Sequence, residues 1–427
     1  MQDLMSCLKE RGFVDAITSP DLELRIQQGP LKVYIGFDPT ADSLHLGNFV
    51  GMQLLAWFQR FGHTPVVLLG GATGKIGDPS GKSKERPLLD DATISYNISQ
   101  IRKNFERVLD FSGKLPMPLI VNNADWYKGI DFIDFLRDVG KHFRIGTMLA
   151  KDSVKSRVQS EEGMSFTEFS YQIMQAYDFH HLFKQGVCLQ MGGSDQWGNI
   201  TAGTDLIRKL EGESGYGLTF PLLVRSDGKK FGKSEEGAVW LSEDKFSAYQ
   251  LYQYLVRIPD EDVIPLMKRL TFMEMFEISE IEKSMKLSEY VPNTAQKRLA
   301  EELTRAIHGD EGLEKALKVT RGAGPGSSGS LNEEVIEQIA LDMPNVELSV
   351  VEVLHCKFAD VAVMSGLLSS KGEAARLVQN QGAYLNQKKV QDVGYLITEQ
   401  DLIGGKFLLL GSGKKKQVLV RIKGNFR

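Results

Sequence analysis

His45, Gly47, Lys230 and Lys233 are the residues from which chemistry can be read first. His45 and Gly47 lie in "FDPTADSLHLGN" (37–48), between the apolar run Val33, Ile35, Phe37 and a helical pattern. Lys230 and Lys233 lie in "SDGKKFGKS" (226–234), after "FPLLV" (220–224). A histidine and lysines beside glycines at the ends of apolar runs suit a nucleotide. Glycine lets backbone N–H groups approach phosphate or ribose, and a helix N-terminus favours negative charge. Two more such loops are "GGATGKIGDPSGKSKER" (70–86), after "PVVLL", and "MGGSDQWGN" (191–199), after "VCLQ". The "GKS" at 81–83 departs from the P-loop pattern, because the glycine required five residues before Gly81 is Ile76. Any one of these loops also reads as ordinary turn chemistry. Only their combination carries weight.

The elements that would position them alternate. "VYIGF" (33–37), "PVVLL" (65–69), "PLIVN" (118–122), "VCLQM" (187–191) and "FPLLV" (220–224) read as strands buried on both faces. Between them run helices; Ile94, Ile98, Ile101, Phe105 and Leu109 mark one helical face. The alternation predicts an α/β fold with a doubly wound parallel sheet, Rossmann-like, in which ligands bind beyond the strands' carboxyl ends at the switch point. His45 falls just beyond one such end. The chain then divides into a catalytic domain over 1–235, a helical domain over 236–320, a linker over 321–350 containing "RGAGPGSSGS", and a small α+β domain over 351–427 with two helices, a turn at Gly382 and a strand.

Composition excludes several classes. The 427 residues are 42% hydrophobic and 25% charged with net charge −4, which predicts globular domains without a global nucleic-acid signal. No apolar run approaches the roughly 18 residues of a membrane span, and the charged start lacks a secretory signal. Cys7, Cys188 and Cys356 are scattered, so a reducing, cytoplasmic setting and no metal centre are expected; His180 and His181 upstream of Cys188 lack finger-like spacing. The last 27 residues carry seven basic side chains, including Lys414, Lys415 and Lys416, against Asp401 alone. Such a tail is either a solvated end or an RNA-facing patch.

In "FTEFSYQIMQAYDF", Tyr171, Gln175 and Asp178 share one helical face among Phe169, Ile173, Met174 and Phe179. Polar groups there are costly without partners, supplied by a ligand or an internal network. "NNADW" (122–126) adds Asn123 and Trp126, which either touch ligand, support the segment that does, or only pack a loop.

"YIGFDPTADSLHLGN", "GGATGKIGDPSGKSKER", "FTEFSYQIMQAYDF", "GGSDQWGN" and "DGKKFGKS", in this order, closely resemble the bacterial-type tyrosyl-tRNA synthetases, a family of class I aminoacyl-tRNA synthetases. The likeness runs from about residue 30 to the end, where the last unit resembles an S4-like RNA-binding module. Two departures from the class signatures stand out: Asn48 replaces a second histidine, and the second signature reads Lys-Phe-Gly-Lys-Ser.

The resemblance implies an activity and a set of roles. L-tyrosine would be activated with ATP, accompanied by Mg2+ and no tightly bound cofactor, and then transferred to tRNA(Tyr). Thr40 and His45 would meet the phosphates, while Lys82, Arg86, Lys230 and Lys233 would hold pyrophosphate. Tyr34 and Asp178 would bind the phenol oxygen; Asp78, Tyr171 and Gln175 would bind the ammonium. Gly193, Asp195 and Gln196 would hold the adenylate's ribose and carbonyl, with Asp38 and Gln190 nearby, and Gly36, Gly47, Asn48, Phe231, Gly232 and Ser234 would complete the ATP site. Lys414, Lys415 and Lys416 would face RNA. An insertion near 125–165, with Phe132, Phe135, Leu136, Phe143 and Met148, together with the neighbouring Phe166, would form a homodimer. Two alternatives stay open: a tryptophan–tRNA ligase, against which Tyr34 with Asp178 and the C-terminal unit argue, and a catalytically silent RNA-binding protein, against which His45, Lys230 and Lys233 argue.

Overall fold

The computed structural model describes residues 3–80, 88–159, 163–226, 228, 231–234, 237–323, 333–340, 343–413 and 416–423. Its first sheet contains β1 (Ala16–Ile17), β2 (Lys32–Phe37), β3 (Thr64–Leu69), β4 (Leu119–Asn122), β5 (Val187–Gly193) and β6 (Tyr216–Phe220), in the order β1-β6-β5-β2-β3-β4. From β6 to β4 all pairs are parallel, which requires helical crossovers. Helix Leu46–Arg60 lies on β2, β3 and β5, with Phe49, Met52, Leu54, Leu55 and Phe58 fully buried. Helix Asp91–Val108 starts at Asp90, whose carboxylate accepts the Thr93 N–H at 2.7 Å, and buries Ile94, Ile101 and Phe105 as the periodicity predicts.

The observed sheet departs from expectation in three places. The two-residue β1 runs antiparallel to β6, so the sheet is mixed. The last parallel strand is Tyr216–Phe220 rather than 220–224. Its interior positions are held by Gly217, where a Cβ would lie 2.4 Å from Ile200 Cγ2, and by Thr219, which donates to Asp15 Oδ2 at 3.0 Å. Neither residue looks like a strand core in the sequence. β4 is an edge strand with Leu119 left 41% exposed, not a strand buried on both faces.

Met1–Phe246 with Tyr254–Ile307 form one compact unit, and Ser247–Gln253 with His308–Arg427 a second. The expected helical domain over 236–320 is therefore divided. Helix Asp260–Leu270 packs on helix Leu46–Arg60, and Arg11 donates to the carbonyls of Lys268, Thr271 and Met273, tying this stretch to the first unit. The division falls beside Gly309, whose φ of 75° interrupts the helical backbone. Beyond the short pair β7 (Lys233–Ser234) and β8 (Gly237–Ala238), the second unit holds β9 (Asn345–Ser349), β10 (Ala383–Leu385), β11 (Lys388–Lys389), β12 (Phe407–Ser412) and β13 (Lys416–Lys423), in the order β11-β10-β12-β13-β9.

Side chains on β12 and β13 alternate between two cores, as strand geometry dictates. Leu408, Leu410 and Val420 join Phe358, Val361 and Val378 of the two expected helices, Phe358–Met364 and Lys371–Gln379. Phe407, Leu409 and Leu419 face Val319, Ile336 and Ala340. Helix Glu333–Ala340 and β9, which pairs parallel with β13, thus belong to this unit and correct the linker boundaries of 321–350. In the insertion, Phe135, Phe143 and Met148 turn inward. Phe132, Leu136 and Phe166 stay exposed, as do Ile133, Ile145 and Leu149.

Candidate active site

β2 and β5 are neighbours, but the chain leaves β2 towards β3 and β5 towards β6. This reversal opens a crevice past their carboxyl ends, the switch point of such sheets. A cavity of about 390 Å³ occupies it, lined from β2 by Tyr34 and Gly36, from the following loop by Asp38 and Thr40, and from β5 by Gln190 and Gly193. Leu222 and Leu223, part of the run first read as a strand, form another wall.

His45, Gly47 and Asn48 line the cavity at the start of helix Leu46–Arg60. His45 Nδ1 accepts the Asn48 N–H at 3.3 Å, and Asn48 Oδ1 accepts the His45 N–H at 3.1 Å, a reciprocal capping box. With Nδ1 accepting, a neutral ring carries its proton on Nε2. The second signature packs against the first. Gly232 adopts φ 84°, and a Cβ there would lie 2.9 Å from Gly47 N. Phe231 N donates to Leu223 O, and Leu46 N to Val239 O. Phe231 and Gly232 therefore line the cavity. Lys82, Arg86 and Lys230 lie outside the described residues; Lys233 and Ser234 are described only as backbone in β7.

Tyr171, Gln175 and Asp178, one helical turn apart on Phe166–Phe183, all line the cavity, together with Asp78 and Gln196. Asp195 joins them beside Gly193, where a Cβ would meet Asp195 Oδ1 at 2.7 Å. Tyr171 donates its hydroxyl to Asp38 Oδ2 at 2.8 Å, and Thr73 donates to Asp38 Oδ1 at 2.8 Å. Asp78 accepts from Ser80 N at 3.0 Å and Gln196 Nε2 at 2.7 Å. Burial and the nearby Asp38 hold the Tyr171 phenol well above its usual range.

The deep end pairs a donor and an acceptor. Tyr34 is fully buried and its hydroxyl has no hydrogen-bond partner among the described residues. Burial, with the charge of Asp178 second, pushes its pKa well up. Burial likewise raises Asp178 to about 7, opposed by donation from Asn123 and Trp126. Asn123 Nδ2 lies 3.0 Å from Oδ2 and Trp126 Nε1 2.9 Å from Oδ1. Asn123 and Trp126 are thus supports of a cavity residue rather than loop packing alone. Gln190 Oε1 is also buried without a partner among the described residues.

Two residues escaped the sequence reading. Thr73 joins the two ends, donating to Asp38 while accepting from Asn123 Nδ2 at 2.9 Å. Asn199 lies within hydrogen-bonding distance of Asp78, Ser80, Gln175 and Gln196. Their signal was position: both sit in the polar loops that follow β3 and β5. In the second unit Lys414 and Lys415 lie outside the described residues, and Lys416 is exposed in β13.

Residues 26–323 match the family of tRNA synthetases class I (W and Y), and 335–420 match the tyrosine–tRNA ligase SYY-like C-terminal domain. The chain belongs to the class I tRNA synthetases of this W and Y family. The tyrosine–tRNA ligase of Protochlamydia amoebophila is 57% identical over 99% of both chains. The chloroplastic/mitochondrial tyrosine–tRNA ligase of Arabidopsis thaliana is 50% identical over 98% of this chain and 84% of its own. A C-terminally truncated mitochondrial tyrosyl-tRNA synthetase of Aspergillus nidulans superposes with a TM-score of 0.67 at 31% identity, covering 75% of this chain and 94% of that one.

Proposed function

We propose that this chain is a tyrosine–tRNA ligase that forms tyrosyl-adenylate and then esterifies the 3' end of tRNA(Tyr). The observation that carries the amino-acid choice is the partnerless Tyr34 hydroxyl beside the Asp178 carboxylate. A phenol hydroxyl donates to one and accepts from the other. An indole N–H only donates and would leave Tyr34 orphaned, which argues against tryptophan.

Asp78, Gln175 and Tyr171 receive the ammonium and point the carboxylate at the α-phosphate of ATP. In-line attack expels pyrophosphate and needs no protein nucleophile, so rate comes from positioning and from charge stabilisation. His45 offers its Nε2–H to the phosphates alongside Thr40. Lys82, Arg86, Lys230 and Lys233 neutralise pyrophosphate, and Mg2+ arrives with ATP. Gly193, Asp195 and Gln196 hold ribose and carbonyl, with Asp38, Gln190, Gly36, Gly47, Asn48, Phe231, Gly232 and Ser234 around them. The tRNA hydroxyl then attacks the adenylate carbonyl, and AMP leaves.

The 351–427 region with Lys414, Lys415 and Lys416 serves RNA. The exposed Phe132, Ile133, Leu136, Ile145, Leu149 and Phe166 form the face of a homodimer. No helix among the described residues is long and apolar enough to cross a membrane; we place the protein in the cytoplasm on its three scattered, free cysteines, which suit a reducing compartment. ATP–pyrophosphate exchange with each of the twenty amino acids tests the central reading: tyrosine alone should support exchange, and exchange with tryptophan instead would overturn it.

A further inference from the structure

We infer that Asn199 is a positioning residue for the amino group of the amino acid, acting through Gln175; the inference rests on the ammonium site proposed above. Asn199 is buried on the first turn of helix Trp197–Glu211 and does not line the cavity. Its side-chain nitrogen lies 3.1 Å from Gln175 Oε1, 3.2 Å from Gln196 Oε1, 3.3 Å from Ser80 Oγ and 3.5 Å from Asp78 Oδ1. An amide nitrogen has two hydrogens, so it serves two of these four, and the two nearest are the glutamine oxygens.

The polarity of the whole network follows from Asp78. A carboxylate only accepts, so Gln196 must present Nε2 to it, and does so at 2.7 Å. Gln196 Oε1 then faces inward, where Gln175 Nε2 donates to it at 3.3 Å. Gln175 is left with its oxygen held by Asn199 and a second lone pair available to a cation in the cavity. Without Asn199, only the 3.3 Å bond from Gln175 Nε2 to Gln196 Oε1 opposes a half-turn of the Gln175 amide, which would set its NH2 against the incoming ammonium. Asn199, through the shorter of the two bonds, therefore reinforces the orientation in which Gln175 accepts.

The role makes a sharp demand on analogues. L-Tyrosine and tyrosinol carry the amino group; 3-(4-hydroxyphenyl)propionate does not. Asn199→Ala should weaken the first two about tenfold, the effect of losing a hydrogen bond to a charged partner. It should leave the third within about twofold. The KM for tyrosine should rise while kcat of adenylate formation and the KM for ATP hold. In a double-mutant cycle, Asn199→Ala should add nothing in a Gln175→Ala background, because the residue acts through Gln175. Equal weakening of the amine-free acid, or additive losses in the cycle, would show a general packing defect and overturn the inference. If Gln175→Ala by itself leaves tyrosine binding intact, the ammonium site falls, and this inference with it. If Gln175→Ala weakens tyrosine and Asn199→Ala does not, the ammonium site stands and only the role of Asn199 fails. Should Asn199→Ala not fold, Asn199→Ser, which suits the first turn of a helix, takes its place in the same cycle.

Discussion

Trp126 stands outside the cavity and yet donates its indole N–H to Asp178 Oδ1 at 2.9 Å, with the His181 ring stacked on it at 4.5 Å between centroids. Donation to a carboxylate favours its charged form. Burial has already lifted Asp178 to about 7, so the indole restrains a group on the edge of protonation.

A pH dependence follows. Below about pH 7 Asp178 takes up a proton and ceases to be a charged acceptor for the phenol, so tyrosine affinity should fall as pH drops through that value, by up to about tenfold per unit. Trp126→Phe removes a restraint, raises the Asp178 pKa further and should move the midpoint to higher pH. Equilibrium dialysis of tyrosine from pH 6 to 8.5 reads both; a midpoint that stays put in the variant contradicts the coupling.

Asp178→Ala removes the acceptor altogether. A hydrogen bond to a charged group contributes about 1.5–3 kcal/mol, so preference for tyrosine over phenylalanine should fall by an order of magnitude or more. The ratio of the two activation efficiencies measures it, and an unchanged ratio would sink the assignment of the deep end.

Much of this site was legible because its chemistry sits at strand ends in contiguous motifs. Tyr171, Gln175 and Asp178 could be placed on one face from spacing alone, and they do share the cavity. Thr73 and Asn199 stand in those polar motifs, but their roles were not legible, since their partners Asp38, Asn123, Asp78 and Gln175 lie tens of residues away and only the folded sheet brings them together. The strand Tyr216–Phe220 was hidden for a different reason. Tight packing on Gly217 and a part-buried hydrogen bond from the buried Thr219 replace the apolar run that usually marks a strand. Helix Glu333–Ala340 sat beside a glycine- and serine-rich stretch whose composition masked its one apolar face.

Gly70 offers a test of the network between the two ends. A Cβ there would lie 2.1 Å from Asp38 Oδ1 and 2.5 Å from Thr73 Oγ1. Gly70→Ala must displace Asp38 and with it the acceptor of the Tyr171 hydroxyl. Overpacking should cost about 1–3 kcal/mol of stability. Tyrosine activation measured well below the melting temperature should fall about tenfold or more. Wild-type activation in this variant would show that the bond from Tyr171 to Asp38 does not support the amino-acid site.

Asn48 carries a prediction about the departure from the first signature. Its carboxamide oxygen is engaged by the His45 backbone N–H, half of the capping box on the central helix. Asn48→Ala should lower stability by about 0.5–2 kcal/mol, the range for losing a cap of this kind. Thermal or urea unfolding reads this directly. A variant as stable as the parent would mean that Asn48 is held for ligand alone.

The last prediction separates the two ends of the chain. Every residue lining the cavity lies at or before Trp240, within the first compact unit. Ending the protein after Ala323 should therefore spare tyrosine activation. The cut has a structural cost, because Val319 and Tyr249 lose the cover of Ile336, Phe407, Leu409 and Leu419. The truncated protein should unfold at a lower temperature and gain a tendency to associate through this newly bared apolar patch. Charging of tRNA should fall severely, since phosphate contacts supply much of the affinity for nucleic acid. In the full chain, replacing Lys414, Lys415 and Lys416 with Ala should weaken tRNA binding and flatten its salt dependence, by somewhat less than about one unit of slope per lost contact. If the truncated protein charges tRNA as well as the intact one, the C-terminal unit is not the RNA-binding arm.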